Sequence, residues 1–331
     1  MLDMTTKTIE ESAEPQPGTV AVPEQDGLAR PISFEAKNGA GRKRALVLGG
    51  GGIFFVAWQV AYLNGLINRG VHLGDADIVV GTSAGSVVAS ILTSGGIRRF
   101  GVQVDLLSKI PALVGILAPA SNFHPSQMRA LELFQRAEDA EPNTVRPIGF
   151  AALAARTPSA AETRRSVGFA LAARRWPSKS LYITATDAYS GERLVLDHHT
   201  DISVVRAAAA SSAVPGIFSP QPIHDRYCMD GGVSGSGTHC DLVAGAEKAL
   251  VISLGASIKQ VSSMMTIKPD TLARELAGLT TSGTTAYSRG PDKFDITQMM
   301  SPAAVPDALA LGDELAGQDA AEIAAFWNLP H

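Results

Sequence analysis

The sequence predicts an α/β protein, a three-layer sandwich with helices on both sides of a mainly parallel central sheet. Three observations predict it. Short apolar runs alternate with segments of helical spacing, and two strand-to-helix junctions carry glycine turns. The chain has 331 residues, 45% hydrophobic and 18% charged, which suits a soluble domain with one substantial core. Aromatic content is only 6%, so Ala, Val, Leu and Gly must supply most of the packing.

Residues 1–42 carry Pro, Gly, Glu and Thr without apolar periodicity and read as a disordered leader. They end in the basic tract Arg42-Lys43-Arg44. Ala45-Leu46-Val47-Leu48 is a buried strand running into Gly49-Gly50-Gly51-Gly52. Val56, Ala57, Val60, Ala61, Leu63 and Leu66 then recur at helical spacing up to Gly70. Asp77-Ile78-Val79-Val80 is a second strand. It ends at Gly81-Thr82-Ser83-Ala84-Gly85, and a helix follows from Ser86 to Leu92. Strand, glycine turn, helix, strand, sharp turn, helix fits parallel strands with helical crossovers.

Residues 97–175 mix Ala-rich helical stretches with Pro111, Pro119, Pro125, Pro142, Pro147 and Pro158, and read as a mostly helical insertion able to cap a site. Ser180 to Thr186 alternates like a strand, with Arg193 to Leu196 pairing across the Ser190-Gly191 turn. Asp201 to Ser212 is a predicted helix with Asp201 as its N-cap. Tyr227-Cys228-Met229 is a short strand entering Asp230-Gly231-Gly232, and Ala249 to Leu254 is another buried strand. The motif-bearing core spans about 44–256. The Ala- and Leu-rich tail from about 268 to 331 is predicted helical.

The net charge of −4 gives no electrostatic basis for binding nucleic acid. The pairs Arg98-Arg99, Arg164-Arg165 and Arg174-Arg175 are scattered and read as solvated surface. Cys228 and Cys240 are too few for a disulfide scaffold, and no Cys/His spacing fits a metal, so no metal or cofactor is expected. The first twenty residues lack a signal-peptide core, and no run of eighteen apolar residues occurs, so a cytoplasmic protein is expected.

Three constellations carry chemistry. Gly81-Thr82-Ser83-Ala84-Gly85 matches the G-x-S-x-G nucleophile elbow, in which flanking Gly81 and Gly85 let a tight turn project the Ser83 hydroxyl. The following helix aims its free N–H groups at the site. Gly49 to Gly52 exposes several backbone N–H groups before a helix. Alone it fits a phosphate loop as well as an oxyanion hole, but G-x-G-x-x-G fails at Phe55 and no Walker pair follows. Beside Ser83 it reads as an oxyanion hole built from Gly50, Gly51 and Gly52. Asp230-Gly231-Gly232 delivers one carboxylate with two glycines beside it; alone it is an ordinary Asp-Gly turn.

Together, in this order and spacing, the three motifs resemble the patatin-like phospholipase family over roughly residues 44–256. The stretch Ala210-Ser211-Ser212-Ala213-Val214-Pro215-Gly216-Ile217-Phe218 also resembles the family's block before its catalytic aspartate. The resemblance implies a Ser83–Asp230 dyad without histidine, and hydrolysis of lipid or other carboxylic esters through an acyl-enzyme without a metal. A carboxylate is a weak base for a serine hydroxyl, so the dyad needs a dry site. The family loop continues with a basic residue and then glycine, where this chain has Phe54 and Phe55. These aromatics either line an acyl pocket or pack the helix, and packing is favoured.

A Ser-acid-His triad is the competing arrangement. His239 follows Asp230, and His198 and His199 follow Asp187, in the required order. The glycine loop, however, lies only one helix and one strand before Ser83, which argues against it. His124 sits before Pro125 within the insertion. The expected function is acyl-ester hydrolysis of lipids, with peripheral membrane contact inferred from the substrate class. The alternatives are a small-ester esterase or acyltransferase of the same fold, and a silent lipid- or anion-binding module.

Overall fold

The computed structural model describes residues 32–109, 123–171, 175–256 and 269–328. Among the described residues, eight strands form one mixed sheet in the order β5 (Gln221–Ile223), β6 (Arg226–Asp230), β3 (Leu181–Asp187), β2 (Ile78–Gly81), β1 (Arg44–Leu48), β7 (Lys248–Ile252) and β8 (Thr285–Arg289), with β4 (Arg193–Leu196) also paired to β3. Strands β1 (Arg44–Leu48), β2 (Ile78–Gly81), β7 (Lys248–Ile252) and β8 (Thr285–Arg289) pair in parallel, β1 lying between β2 and β7. Their side chains alternate between two cores. Leu46, Leu48, Val79, Leu250 and Ile252 face one, and Ala45, Val47, Val80, Ala249 and Val251 face the other. A strand buried on both faces reads as a continuous apolar run, which is why these strands are legible in the sequence.

The first core is closed by helices α1 (Gly52–Asn68), α2 (Ala84–Thr93) and α3 (Ile97–Ser108). Its scarce aromatics are concentrated on α1, where Phe55, Trp58 and Tyr62 stack with ring centroids 5.5 and 4.7 Å apart. The insertion continues with α4 (Pro125–Gln135), α5 (Pro142–Ala154) and α6 (Ala160–Leu171). Pro125 and Pro142 start their helices, where a missing N–H costs nothing, while Pro147 lies inside α5. The insertion is spread over the molecule. Part of α3 joins the first core, whereas α4 and α5 build a third cluster with Met229 and Val233. Residues 110–122, with Pro111 and Pro119, lie outside the described residues.

Strand β3 (Leu181–Asp187) organises the other half of the sheet. It pairs with β4 (Arg193–Leu196) and with β6 (Arg226–Asp230), both antiparallel, and β6 carries the short β5 (Gln221–Ile223). Ile183 pairs with both Gly81 and Leu196, and Ala185 with both Leu194 and Asp230. A strand residue has one partner on each edge. β4 therefore runs along one edge of β3, and β2 and β6 share the other edge end to end. This exchange brings Gly81 and Asp230 to positions two residues apart on β3, about 7 Å.

Three expectations are corrected. The helix expected over Asp201–Ser212 is α7 (Val204–Ser211), and its N-cap is Ser203, whose side chain accepts the Arg206 N–H. Asp201 sits outside it at φ 53°, bending the chain before the helix. The tail is not helical throughout. Between α8 (Pro269–Thr281) and α9 (Val305–Trp327), β8 adds an edge strand in which Thr285, Tyr287 and Arg289 alternate with Ala286 and Ser288, hidden beneath an Ala- and Leu-rich average. Residues 1–31 of the expected leader lie outside the described residues. Residues 32–42 turn back on the core, the Gly39 N–H donating to the Ala244 carbonyl at 2.8 Å.

Candidate active site

Ser83 stands between β2 and α2 at φ 51°, ψ −120°, a conformation that L-residues rarely adopt and that costs on the order of 1–3 kcal/mol. The turn is over-determined by bonds from both sides. The Ser83 N–H donates to Ser211 Oγ at 2.8 Å. Its carbonyl accepts from Ser86 Oγ at 2.6 Å and from Ser212 Oγ at 3.3 Å. A β-carbon on Gly85 would sit 1.9 Å from the Leu48 carbonyl oxygen, so only glycine lets α2 approach β1 this closely. Gly81 packs its bare face against Ser86.

The glycine loop lies against this turn. A β-carbon at Gly50 would be 3.1 Å from Ser83 Cβ. The Gly50 N–H, however, is committed to the Gly237 carbonyl at 3.0 Å. That removes it from the expected oxyanion donors, a loss invisible in sequence because Gly237 belongs to a distant turn. No described residue accepts from the N–H of Gly51, Gly52 or Ala84. Ala84 opens α2 immediately after Ser83, where the helix leaves its first N–H groups unpaired. Phe54 and Phe55 are both buried; Phe54 meets Phe294 at 5.1 Å and Phe55 stacks on Trp58. They pack α1, as the sequence favoured.

Asp230 ends β6 and is buried. Its N–H donates to the Ala213 carbonyl at 3.0 Å, and its own carbonyl accepts from Thr186 Oγ1 at 2.9 Å. On the side chain, Oδ1 accepts from the Gly232 N–H at 2.8 Å. Oδ2 is buried with no hydrogen-bond partner among the described residues. Burial pushes this carboxyl up to about 6, against smaller opposing pulls from the Ser83 hydroxyl and the Gly232 N–H. Ser83 is thus close enough to favour the ionised form, while no bond of normal geometry yet joins its hydroxyl to Oδ2. Gly231 is required by close approach, since a β-carbon there would lie 2.4 Å from Thr184 Oγ1 and 2.6 Å from its carbonyl oxygen.

The block 210–218, noticed in sequence only as a resemblance, bridges the two candidate residues. Ser211 and Ser212 hold the Ser83 backbone, and Ala213 holds that of Asp230. Small side chains at the end of α7 were the available signal for these roles. The histidines are engaged elsewhere. His239 is buried and its ring nitrogens face the Gly231 carbonyl and Arg193. His224 Nε2 meets the Thr200 carbonyl, the His198 ring lies tilted against that of His199, and His124 caps α4. Among the described residues no group of three or more His, Cys, Asp or Glu is placed to hold a metal ion, and no helix is long and apolar enough to cross a membrane. Cys228 and Cys240 are buried free thiols.

Comparison with known proteins bears on the same residues. A search of curated proteins finds no match. Among solved structures, VipD from Legionella pneumophila is similar at 14% identity and a TM-score of 0.38, covering 89% of this chain and 68% of VipD. The type III effector protein ExoU is similar at 18% identity and a TM-score of 0.31, covering 88% of this chain and 54% of ExoU, so the chain spans about half of that protein. The family model described as Patatin-like phospholipase matches residues 46–239, from β1 through the Ser83 turn and Asp230 to the turn beyond it. With more than half of its length matched by that model, the chain belongs to the patatin-like phospholipase family.

Proposed function

We propose that the protein hydrolyses carboxylic ester bonds of lipids with Ser83 as nucleophile and Asp230 as its base. The observation that carries this reading is the buried Asp230 carboxyl, near enough for the Ser83 hydroxyl to act on it, pushed up to about 6, and with its Oδ2 unpartnered among the described residues. An ordinary carboxylate is too weak a base for serine; one raised by burial is closer to the task.

Ser83 Oγ attacks the ester carbonyl carbon as its proton passes to Asp230 Oδ2. Negative charge develops on the carbonyl oxygen and is met by the unpaired N–H groups of Gly51, Gly52 and Ala84. The tetrahedral intermediate collapses, the alcohol leaves with the proton from Asp230, and an acyl-Ser83 ester remains. Water then attacks that ester with Asp230 again taking the proton, and Asp230 returns this proton to Ser83 Oγ as the acyl–oxygen bond breaks and the fatty acid departs. His239 takes no part in proton transfer, because both its ring nitrogens are already engaged.

Phe54, buried where the family carries a basic residue, supplies no charge for a phosphate headgroup. The reading therefore rests on the acyl chain and ester, and peripheral contact with a membrane face follows from that substrate class. The test is fluorophosphonate labelling of wild type, Ser83→Ala and Asp230→Asn, followed by hydrolysis of p-nitrophenyl esters of increasing chain length. Labelling of wild type alone with a preference for long acyl chains is expected. No labelling of wild type sinks the enzyme reading and leaves a binding module; a preference for acetyl or butyryl esters replaces lipid with small ester.

A further inference from the structure

A second buried polar system lies behind Asp230, and the reaction above makes no use of it. Arg193 on β4 and Asp241 are almost fully buried and form a two-pronged ion pair, Nη1 to Oδ1 at 2.7 Å and Nη2 to Oδ2 at 2.8 Å. Taking two charges out of water is expensive, and such a pair is often replaceable by apolar side chains without loss of stability. Its retention inside a sheet protein therefore invites a positional explanation.

The explanation lies in what else Arg193 holds. Its Nη1 reaches His239 Nδ1 at 3.3 Å. A guanidinium has donors only, so Nδ1 must be the acceptor and the ring proton must sit on Nε2. That Nε2–H then donates to the Gly231 carbonyl at 3.0 Å. The same peptide unit carries the Gly232 N–H, which donates to Asp230 Oδ1 at 2.8 Å. The connections thus run without a break from Asp241 through Arg193, His239 and one peptide group to Asp230. The chain ends on Oδ1, which leaves Oδ2 as the oxygen free to take a proton.

We infer that Arg193 and His239 form a positioning relay that acts on Asp230 through the Gly231–Gly232 peptide, fixing which oxygen faces Ser83 and strengthening the hydrogen bond to the other. This rests on the reading of Ser83 and Asp230 given above. Donation to the Gly231 carbonyl polarises the peptide and makes the Gly232 N–H a better donor to the carboxylate. The surroundings support a fixed ring. The His239 N–H donates to Ser236 Oγ at 2.8 Å, and Ser236 and Thr238 both donate to the buried Glu275 of α8. Burial and the Arg193 charge hold the imidazole down at about 3, so it stays neutral in this arrangement. Asp230 itself is influenced by burial, Ser83 and Gly232. The relay gives the Arg193–Asp241 pair a continuous hydrogen-bonded path to the base. It also ties the base to the glycine loop, because Gly237, between Ser236 and Thr238, accepts the Gly50 N–H.

The experiment measures kcat/KM against pH for a p-nitrophenyl ester with wild type, His239→Met and His239→Gln. Methionine fills the ring's place but cannot donate to Gly231, so Asp230 binds its proton more tightly. The acid limb then moves up by roughly half to one pH unit. Glutamine keeps one donor and one acceptor and returns the limb to its wild-type position. A merely structural histidine would lower the amount of folded enzyme without moving the limb. An unmoved limb in His239→Met, with Asp230→Asn still inactive, overturns the relay and leaves the proposed function standing. Activity retained in both Ser83→Ala and Asp230→Asn overturns the proposed function and the relay with it. Where His239→Met does not fold, nitrogen-15 NMR of the histidines in wild type decides. A His239 ring protonated at Nε2 only and unchanged from pH 5 to 9 supports the relay; a ring that titrates there or is protonated at Nδ1 overturns it.

Discussion

The parallel strands β8, β7, β1 and β2 and the antiparallel group around β3 position their residues by different means. The parallel half presents the glycine loop and Ser83, and it does so with backbone geometry: close approach at Gly85 and an N-terminal helix turn after each glycine segment. The antiparallel half presents Asp230, held by polar bonds from Ala213, Thr186 and Gly232, with the buried His239, Arg193 and Asp241 behind. Steric constraint fixes a turn whatever the pH, whereas a hydrogen-bonded carboxylate is tunable. The proposed nucleophile stands on the rigid half and its proposed base on the adjustable one.

Substitutions in each half separate the two modes. The largest effect is expected from Ser83→Ala, which should lower kcat/KM by roughly 10⁴-fold or more while leaving the protein folded. Fluorophosphonate labelling and circular dichroism check the two statements. Gly85→Ala should instead destroy the parallel half, with a loss on the order of 4 kcal/mol read from urea denaturation or from soluble yield. A Gly85→Ala protein as stable as wild type would break the contrast.

Asp230→Asn should abolish hydrolysis yet stabilise the fold at pH 8. The folded carboxyl is raised to about 6 above its ordinary 3.8. The stability tied to its protonated form is therefore complete below pH 4 and is lost as the pH rises through 6. An asparagine escapes that loss, so a gain on the order of 2–3 kcal/mol is expected at pH 8 and none at pH 3.5. Thermal melts at the two pH values test it, and equal gains at both would remove the titrating group from the account. In wild type the same carboxyl should give kcat/KM an acid limb near pH 6. The smallest effect is expected from Ser211→Ala, which removes the acceptor of the Ser83 N–H. A cost of about 1 kcal/mol and a several-fold fall in kcat are expected from melts and steady-state rates.

The two modes also explain what could be read from the sequence. The strands at Ala45–Leu48 and Ile78–Val80 are buried on both faces, so their apolar runs stand out, and the glycines around Ser83 mark the elbow directly. β8 was hidden because a five-residue edge strand between two helices is averaged away by its Ala- and Leu-rich flanks. The withdrawal of Gly50 from the expected oxyanion donors was illegible because it depends on Gly237, a partner that only the folded chain brings near. Arg193 and His239 were illegible as a pair for the same reason. A lone arginine in a strand and a histidine in a turn carry no spacing signal, and tertiary pairing alone gives them a role.

The end-to-end sharing of one edge of β3 by β2 and β6 also has a consequence in time. The Ser83 N–H is bonded to a side chain 128 residues further along the chain, and Asp230 arrives on a still later strand. Local helices form quickly, but closing loops of that length is slow. During refolding, far-ultraviolet circular dichroism should therefore recover well before fluorophosphonate reactivity. Ser83 becomes a clock that starts only when β6 has found its edge of β3.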